Sequence, residues 1–212
     1  MSSAFPERFA VVDFETTGLS IAQGAMPLEV GIVLLEAGEV VARYQSLMNP
    51  ESTIPWEVQQ LTGITPAMVK DAPPVKTVMA EAFRFTEGLP LVAHNAAFDQ
   101  RFWRLSQSMC GLRDENDFLC TLMLCRRILP EQTSFKLAHL ALHLDLPAAG
   151  RYHRALADAE VTAHLLQYLQ KTLHRQFQLS EISEAMLRKM QGSSRHKLVQ
   201  IMAQFSAVKL AR

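Results

Sequence analysis

Asp13 and Glu15 stand two residues apart at the end of a short apolar run, Phe9-Ala-Val-Val-Asp-Phe14. Side chains alternate along a strand, so both carboxylates project from one face. Acids that close repel each other, and a divalent cation between them relieves the repulsion. Ligation by carboxylate oxygens alone suits Mg²⁺ or Mn²⁺ rather than zinc. Thr16-Thr17-Gly18 follows, a turn whose backbone N–H groups can approach a ligand closely. Taken alone, such a pair also describes an ordinary solvated strand end.

His94-Asn95-Ala96-Ala97-Phe98-Asp99 is a second constellation. His94 and Asn95 leave another short apolar run, and Phe98 and Asp99 fall in the first turn of the following helix. An acid there meets the positive end of the helix dipole, which by itself accounts for Asp99, as core packing does for Phe98. The small Ala96 and Ala97 leave room for a substrate. The third constellation is His153 and Asp158. His153 sits on a loop after the breakers Pro147 and Gly150, and Asp158 lies near the start of a long helix. A loop imidazole can take up a proton near neutral pH, although many such histidines only face solvent. His139 and His143 have the spacing of half a metal site. With leucines around them and no Glu after the first, they read as packing or surface residues.

The elements that position these residues follow from hydrophobic period and turn chemistry. Phe9–Phe14 reads as a buried strand. Leu28–Leu35 and Val40–Met48 flank the turn Glu36-Ala-Gly-Glu39, which predicts a hairpin. Thr53 to Val69 reads as a short helix with loops, and Thr77 to Thr86 as a helix. A strand over 90–94 leads into a helix over 96–109. Phe118 to Leu122 is a further short apolar run. Lys136 to Leu144 is helical, and a long helix over 155–173 carries Val161, Leu165, Leu169 and Leu173. In the tail, Ser180 is placed to cap a helix over Glu181–Met190 that Gly192 ends, and Leu198, Ile201, Met202 and Phe205 share one face of a last helix. Three strands followed by alternating helices and strands imply a mixed sheet with helices on its faces.

The 212 residues are 49% apolar and 20% charged, which suits one domain with an appendage and excludes wholesale disorder. No apolar run has the roughly 18–20 residues that cross a bilayer. Cys110, Cys120 and Cys125 have no CxxC spacing, so neither a disulfide framework nor a zinc ribbon is expected, and a reducing cytoplasm is. The balanced charge, 21 basic against 21 acidic residues, is unevenly spread. Residues 171–212 hold eight basic and two acidic residues, a net +6, and residues 1–170 are correspondingly acidic. A basic tail meets either a polyanion or the acidic body beside it. An acidic body that touches nucleic acid makes sense when some of its acids hold cations.

The order of the three constellations is what carries weight. DFETTG (13–18), HNAAFD (94–99) and HRALADA (153–159) together resemble the DEDDh 3′–5′ exonucleases, the family that includes the proofreading epsilon subunit of bacterial DNA polymerase III. IPWEVQQLTGIT (54–65) and SFKLAHLALHL (134–144) are similar to the same family, and the resemblance covers about residues 8–172. It implies an α/β, ribonuclease H-like fold with a central five-stranded mixed sheet flanked by helices. It divides the chain into an exonuclease domain, 1–173, and a basic helical extension, 174–212. It implies that Asp13, Glu15, Asp99 and Asp158 hold two divalent cations, Mg²⁺ or Mn²⁺, and that His153 is the general base. Thr16, Thr17, His94, Asn95 and Phe98 stand where the family lines the 3′-terminal nucleotide pocket, and Leu61 where a family residue wedges against the terminal base. One departure is Cys120-Thr121, where many relatives have Asp-Thr, a position outside the catalytic five.

The implied activity is hydrolysis of the 3′-terminal phosphodiester of DNA, at single-stranded or frayed ends, releasing nucleoside 5′-monophosphates in proofreading or repair. Two alternatives stand beside it. One is an exoribonuclease of the ribonuclease T or oligoribonuclease type, since no motif here reports contacts to the 2′-hydroxyl. The other is an accessory subunit that docks on a DNA polymerase through residues 174–212, where no clear sliding-clamp peptide is found.

Overall fold

A computed structural model of the chain describes residues 7–113, 118–147, 153–179 and 181–210. The expected breaker Gly150 and the expected cap Ser180 lie outside these residues. Among them, five strands form one sheet in the order β3-β2-β1-β4-β5. β1 (Arg8–Thr16), β2 (Pro27–Glu36) and β3 (Glu39–Leu47) run antiparallel in sequence, and β4 (Leu91–Ala93) and β5 (Leu119–Cys120) lie parallel to β1. The β2–β3 hairpin forms as its turn residues require. Ala37 and Gly38 have φ of 52° and 81°, the mirror-image turn whose twist matches paired strands.

Alternation along β1 sorts the sheet into two faces. Phe9 and Val11, with Val33 and Leu35 of β2, face the long helix α7 (Ala155–Phe177) and its buried Leu165, Leu166, Leu169 and Leu173. Ala10, Val12 and Phe14 face the other way, toward α3 (Val75–Phe85) and α4 (Ala97–Met109) through Val78, Met79, Phe102 and Trp103. Asp13 and Glu15 continue the row of Phe9 and Val11. The chemistry therefore sits where the α7 face of the sheet runs out of apolar residues.

Two short helices, α1 (Trp56–Thr62) and α2 (Pro66–Val69), occupy the stretch expected to hold one. Val69 of α2, with Ile54 before α1 and Ile64 between the two helices, covers Leu28 beside the start of β2. The run Phe118 to Leu122 divides: two residues form β5, and α5 (Thr121–Ile128) starts at once, burying Leu124 and Cys125. A run that short carries no period that separates strand from helix. α6 (Leu137–His143) matches its expected span within a residue at each end.

α7 continues to Phe177, past the 173/174 division, and ends on Gln178 in the left-handed region, φ 53°. α8 (Glu184–Gln191) is capped by Ser183, whose hydroxyl accepts from Met186 N at 3.3 Å; this displaces the expected start at Glu181. α9 (Leu198–Leu210) is the last element among the described residues. Ile182, Met186, Leu187, Met190, Ile201 and Met202 are buried in the same cluster as the α7 leucines. No helix among the described residues is long and apolar enough to cross a membrane.

Candidate active site

The site lies at the carboxyl ends of β1 and β4, where parallel strands of an open α/β sheet leave a crevice. The β1–β2 register pairs Asp13 with Gly31 and Glu15 with Glu29, then shifts by one residue between Glu15 and Thr16. Such an irregularity ends regular pairing and re-aims the side chains beside it. Glu15 is 8% exposed, Asp99 2% and Asp158 8%, although all three are carboxylic acids.

Asp99 enters from α4. β4 stops at Ala93, so the N–H of Phe14 on β1 has no strand to bond, and Asp99 Oδ1 accepts it at 3.2 Å. Asp158 enters from the first turn of α7. Its Oδ2 accepts from the backbone N–H of His153 at 2.9 Å, and its own N–H donates to Arg154 O at 3.1 Å. His153 is exposed and has φ 62°, a strained backbone for a residue with a Cβ. Ligand atoms of Glu15, His153 and Asp158 all lie within 4.8 Å of one another.

The acids repel one another strongly. Burial pushes Asp13 well above the ordinary aspartate range, and the charges of Asp99, Asp158, Glu15 and Glu29 push it further. Glu15 is pushed up to about 8, first by burial, then by Asp158, Glu29 and Asp99; Arg154 opposes this only weakly. Asp99 is also raised to about 8 by burial, against the hydrogen bonds from its own N–H and from Phe14. Asp158 is raised by burial despite the His153 N–H. Asp99 and Asp158 sit at helix N-termini, an advantage of roughly 0.3–1 kcal/mol for a negative charge. Each pKa unit is worth about 1.4 kcal/mol, so burial and mutual repulsion dominate. A cluster of buried oxygens in this state, with its nearby guanidinium already bonded to Glu29, fits hard divalent cations.

The residues expected to line a nucleotide pocket are placed less uniformly. Thr16 and Thr17 are buried beside the acids. The Thr16 hydroxyl donates to Gly18 O at 2.7 Å and that of Thr17 accepts from Met26 N at 2.9 Å, so both side chains shape the turn. Asn95 is exposed with φ 63°, and its carbonyl accepts from Phe98 N at 2.9 Å, turning the chain into α4. Phe98 is half-buried against Phe102, their ring centroids 5.0 Å apart, with the Arg101 guanidinium 5.9 Å from the Phe98 ring centroid. Leu61 is 51% exposed on α1.

His94 is committed to the fold. Its Nε2 lies 2.8 Å from Phe135 O and its Nδ1 2.9 Å from Thr121 Oγ1. Burial holds its pKa below the ordinary histidine value, so the neutral ring donates from Nε2 and accepts at Nδ1. It ties the end of β4 to the start of α5 and to the loop before α6. Thr121, next to the departure at Cys120, thus has a structural task.

Glu29 and Arg154 were not singled out by spacing, yet both belong to the site. Glu29 is 0% exposed. The signal was available: a glutamate inside the otherwise apolar run Leu28–Leu35 has to find a partner if the run is buried.

The family model described as exonuclease, RNase_T, matches residues 10–166. The chain belongs to this exonuclease family. It is 32% identical over 179 residues to a DNA polymerase III PolC-type of Clostridium perfringens, covering 84% of this chain and 12% of that protein. It is 35% identical over 167 residues to the 3′-5′ exonuclease DinG of Bacillus subtilis, covering 78% of this chain and 18% of that protein. The chain thus spans only a small part of these two relatives. Among solved structures it is similar to Exonuclease X in complex with 5′ overhanging duplex DNA: TM-score 0.69, 26% identity, 87% of this chain and 99% of that one. The nuclease domain of 3′hExo, a DEDDh family member bound to rAMP, shares the fold at TM-score 0.68 and 17% identity. The expected ribonuclease H-like architecture is therefore the observed one, in an exonuclease domain homologous to 3′–5′ exonucleases.

Proposed function

We propose that this protein is a metal-dependent 3′–5′ exonuclease that hydrolyses the 3′-terminal phosphodiester of DNA and releases nucleoside 5′-monophosphates. The observation that carries the reading is the convergence of Asp13 and Glu15 from β1, Asp99 from α4 and Asp158 from α7 beside a histidine held on a left-handed turn. Two divalent cations held by Asp13, Glu15, Asp99 and Asp158, Mg²⁺ or Mn²⁺, would supply activation of the attacking water and stabilisation of the leaving 3′-oxygen.

The chain's own residues do the rest. His153 takes the proton of the attacking water. Asp158 holds the His153 backbone through its Oδ2, and the exposure of the imidazole leaves it able to pass that proton to solvent. Thr16, Thr17, Asn95 and Phe98 border the 3′-terminal nucleotide, with Leu61 against its base, and His94 supports the pocket wall through Thr121 and Phe135. The similarity to Exonuclease X solved with 5′ overhanging duplex DNA supports a DNA 3′ end as substrate. We read residues 1–173 as the catalytic unit and 174–212 as an extension, of which Ile182, Met186, Leu187, Met190, Ile201 and Met202 are buried with the α7 leucines.

The test is digestion of matched 5′-labelled DNA and RNA strands in Mg²⁺ or Mn²⁺. The reading expects stepwise shortening from the 3′ end, faster on DNA, and its loss in Asp13→Ala. An Asp13→Ala protein as active as the parent overturns it, and faster digestion of RNA transfers the protein to the exoribonucleases.

A further inference from the structure

Glu29 is hydrogen-bonded through both carboxylate oxygens and is not one of the four acids. Oε1 accepts from Arg154 Nη2 at 2.7 Å and from Gln45 Nε2 at 2.8 Å. Oε2 accepts from Arg154 Nε at 3.1 Å and from the backbone N–H of Ala155 at 3.0 Å. One carboxylate therefore takes both prongs of a guanidinium and the first N–H of α7. The fork geometry is one that only arginine provides.

Arg154 is the residue directly after His153 and stands at the N-cap position of α7. Its carbonyl accepts from Asp158 N, and Asp158 in turn holds His153 N. Two residues along β2 from Glu29, a Cβ on Gly31 would meet Leu156 N at 2.2 Å and Ala155 C at 2.3 Å. The first turn of α7 therefore lies on bare strand backbone, at a depth that no other residue permits. His153 is thus reached from three directions: by Asp158 on its own N–H, by Arg154 anchored to Glu29, and by Ala155 pressed on Gly31.

A buried ion pair is weak evidence of stabilisation, because desolvation offsets most of its attraction. What this one supplies is a fixed geometry. It also places a positive charge beside Glu29, which is paired in register with Glu15. We propose that Glu29 and Arg154 are positioning residues that fix the orientation of His153 over the four carboxylates, acting through the turn that carries it. The inference rests on His153 being the general base, and it adds the device that aims it.

The test is a double-mutant cycle between position 154 and His153, with kcat and KM measured on a 5′-labelled DNA strand at saturating Mg²⁺. Arg154→Lys keeps a charge for Glu29 but loses the fork. In the parent it is expected to lower kcat about 10–100-fold, as loss of a supporting shell does, with KM within about twofold. In His153→Ala it is expected to lower kcat no further. Equal losses in both backgrounds, a loss confined to KM, or no loss at all overturn the positioning role and leave the base assignment standing. A His153→Ala protein with parental kcat instead overturns the base assignment itself. Circular dichroism and Tm are followed for each variant. If Arg154→Lys does not fold, Glu29→Gln, which leaves Arg154 able to turn into solvent, replaces it in the cycle with the same expected outcomes.

Discussion

Asp99 on α4 accepts a hydrogen bond at 3.2 Å from the backbone N–H of Phe14 on β1, across 85 positions of chain. The bond forms where β4 ends, so the helix supplies the acceptor that the sheet no longer does. It also ties the Asp99 carboxylate to the residue that separates Asp13 from Glu15. Asp99→Asn keeps an acceptor oxygen for Phe14 and removes one negative charge. Activity in Mg²⁺ should fall by at least about 100-fold, since even outer partners of a metal site cost 10–100-fold. The Tm of the metal-free protein at pH 8 should rise, because Asp13 loses its strongest charged repeller. Exonuclease assays and thermal melts in chelator check the two opposite directions.

Metal-free stability should fall with rising pH. Glu15 and Asp99 are raised to about 8, and Asp13 and Asp158 are raised as well. Between the ordinary carboxylate range and about pH 8, the folded chain holds protons that the unfolded chain has released. Stability is then present at low pH and lost as pH climbs through that window. Mg²⁺ or Mn²⁺ should restore it at the upper end by binding the ionised acids of the folded chain. Melts from pH 5 to 9, with chelator and with cation, measure the slope. A metal-free Tm that rises with pH over this window would contradict the repulsion inferred for the cluster.

Gln191, the last residue of α8, acts as a strand substitute at the free edge of β5. Its Oε1 accepts from Cys120 N at 2.6 Å and its Nε2 donates to Phe118 O at 3.2 Å. Gln191→Ala leaves both backbone groups without that partner and should cost about 1–3 kcal/mol. In a chain of this size, that is a Tm drop of roughly 2–4 °C per kcal/mol. Because Thr121 follows Cys120 and holds His94, activity near the melting temperature should fall in parallel. Denaturant titration and activity measured against temperature check both.

Much of this architecture can be read from local pattern, and the exceptions have physical causes. The apolar run Phe9–Phe14, the turn at Ala37-Gly38 and the four-residue spacing from Val161 to Leu173 each report a period that one element satisfies alone. Phe118–Leu122 does not, because two residues of strand followed by a helix have no period to display. The tail helix is displaced from its expected cap because Ser183, like Ser180, is a good N-cap, and packing of Met186, Leu187 and Met190 on α7 selects between them. His94 is bonded on both ring nitrogens, to residues 27 and 41 positions away, and such distant partners leave no mark in the local spacing.

Residue types and their order determined which acids and which histidine are candidates for the proposed chemistry, and which face of β1 presents Asp13 and Glu15, since alternation is a property of the backbone itself. Tertiary structure decided what those groups meet. The partner of a buried charge depends on strand register and on how closely a helix approaches the sheet. Glu29 reaches Arg154 and Ala155 because β2 pairs with β1 in one register and Gly31 lets α7 settle onto it.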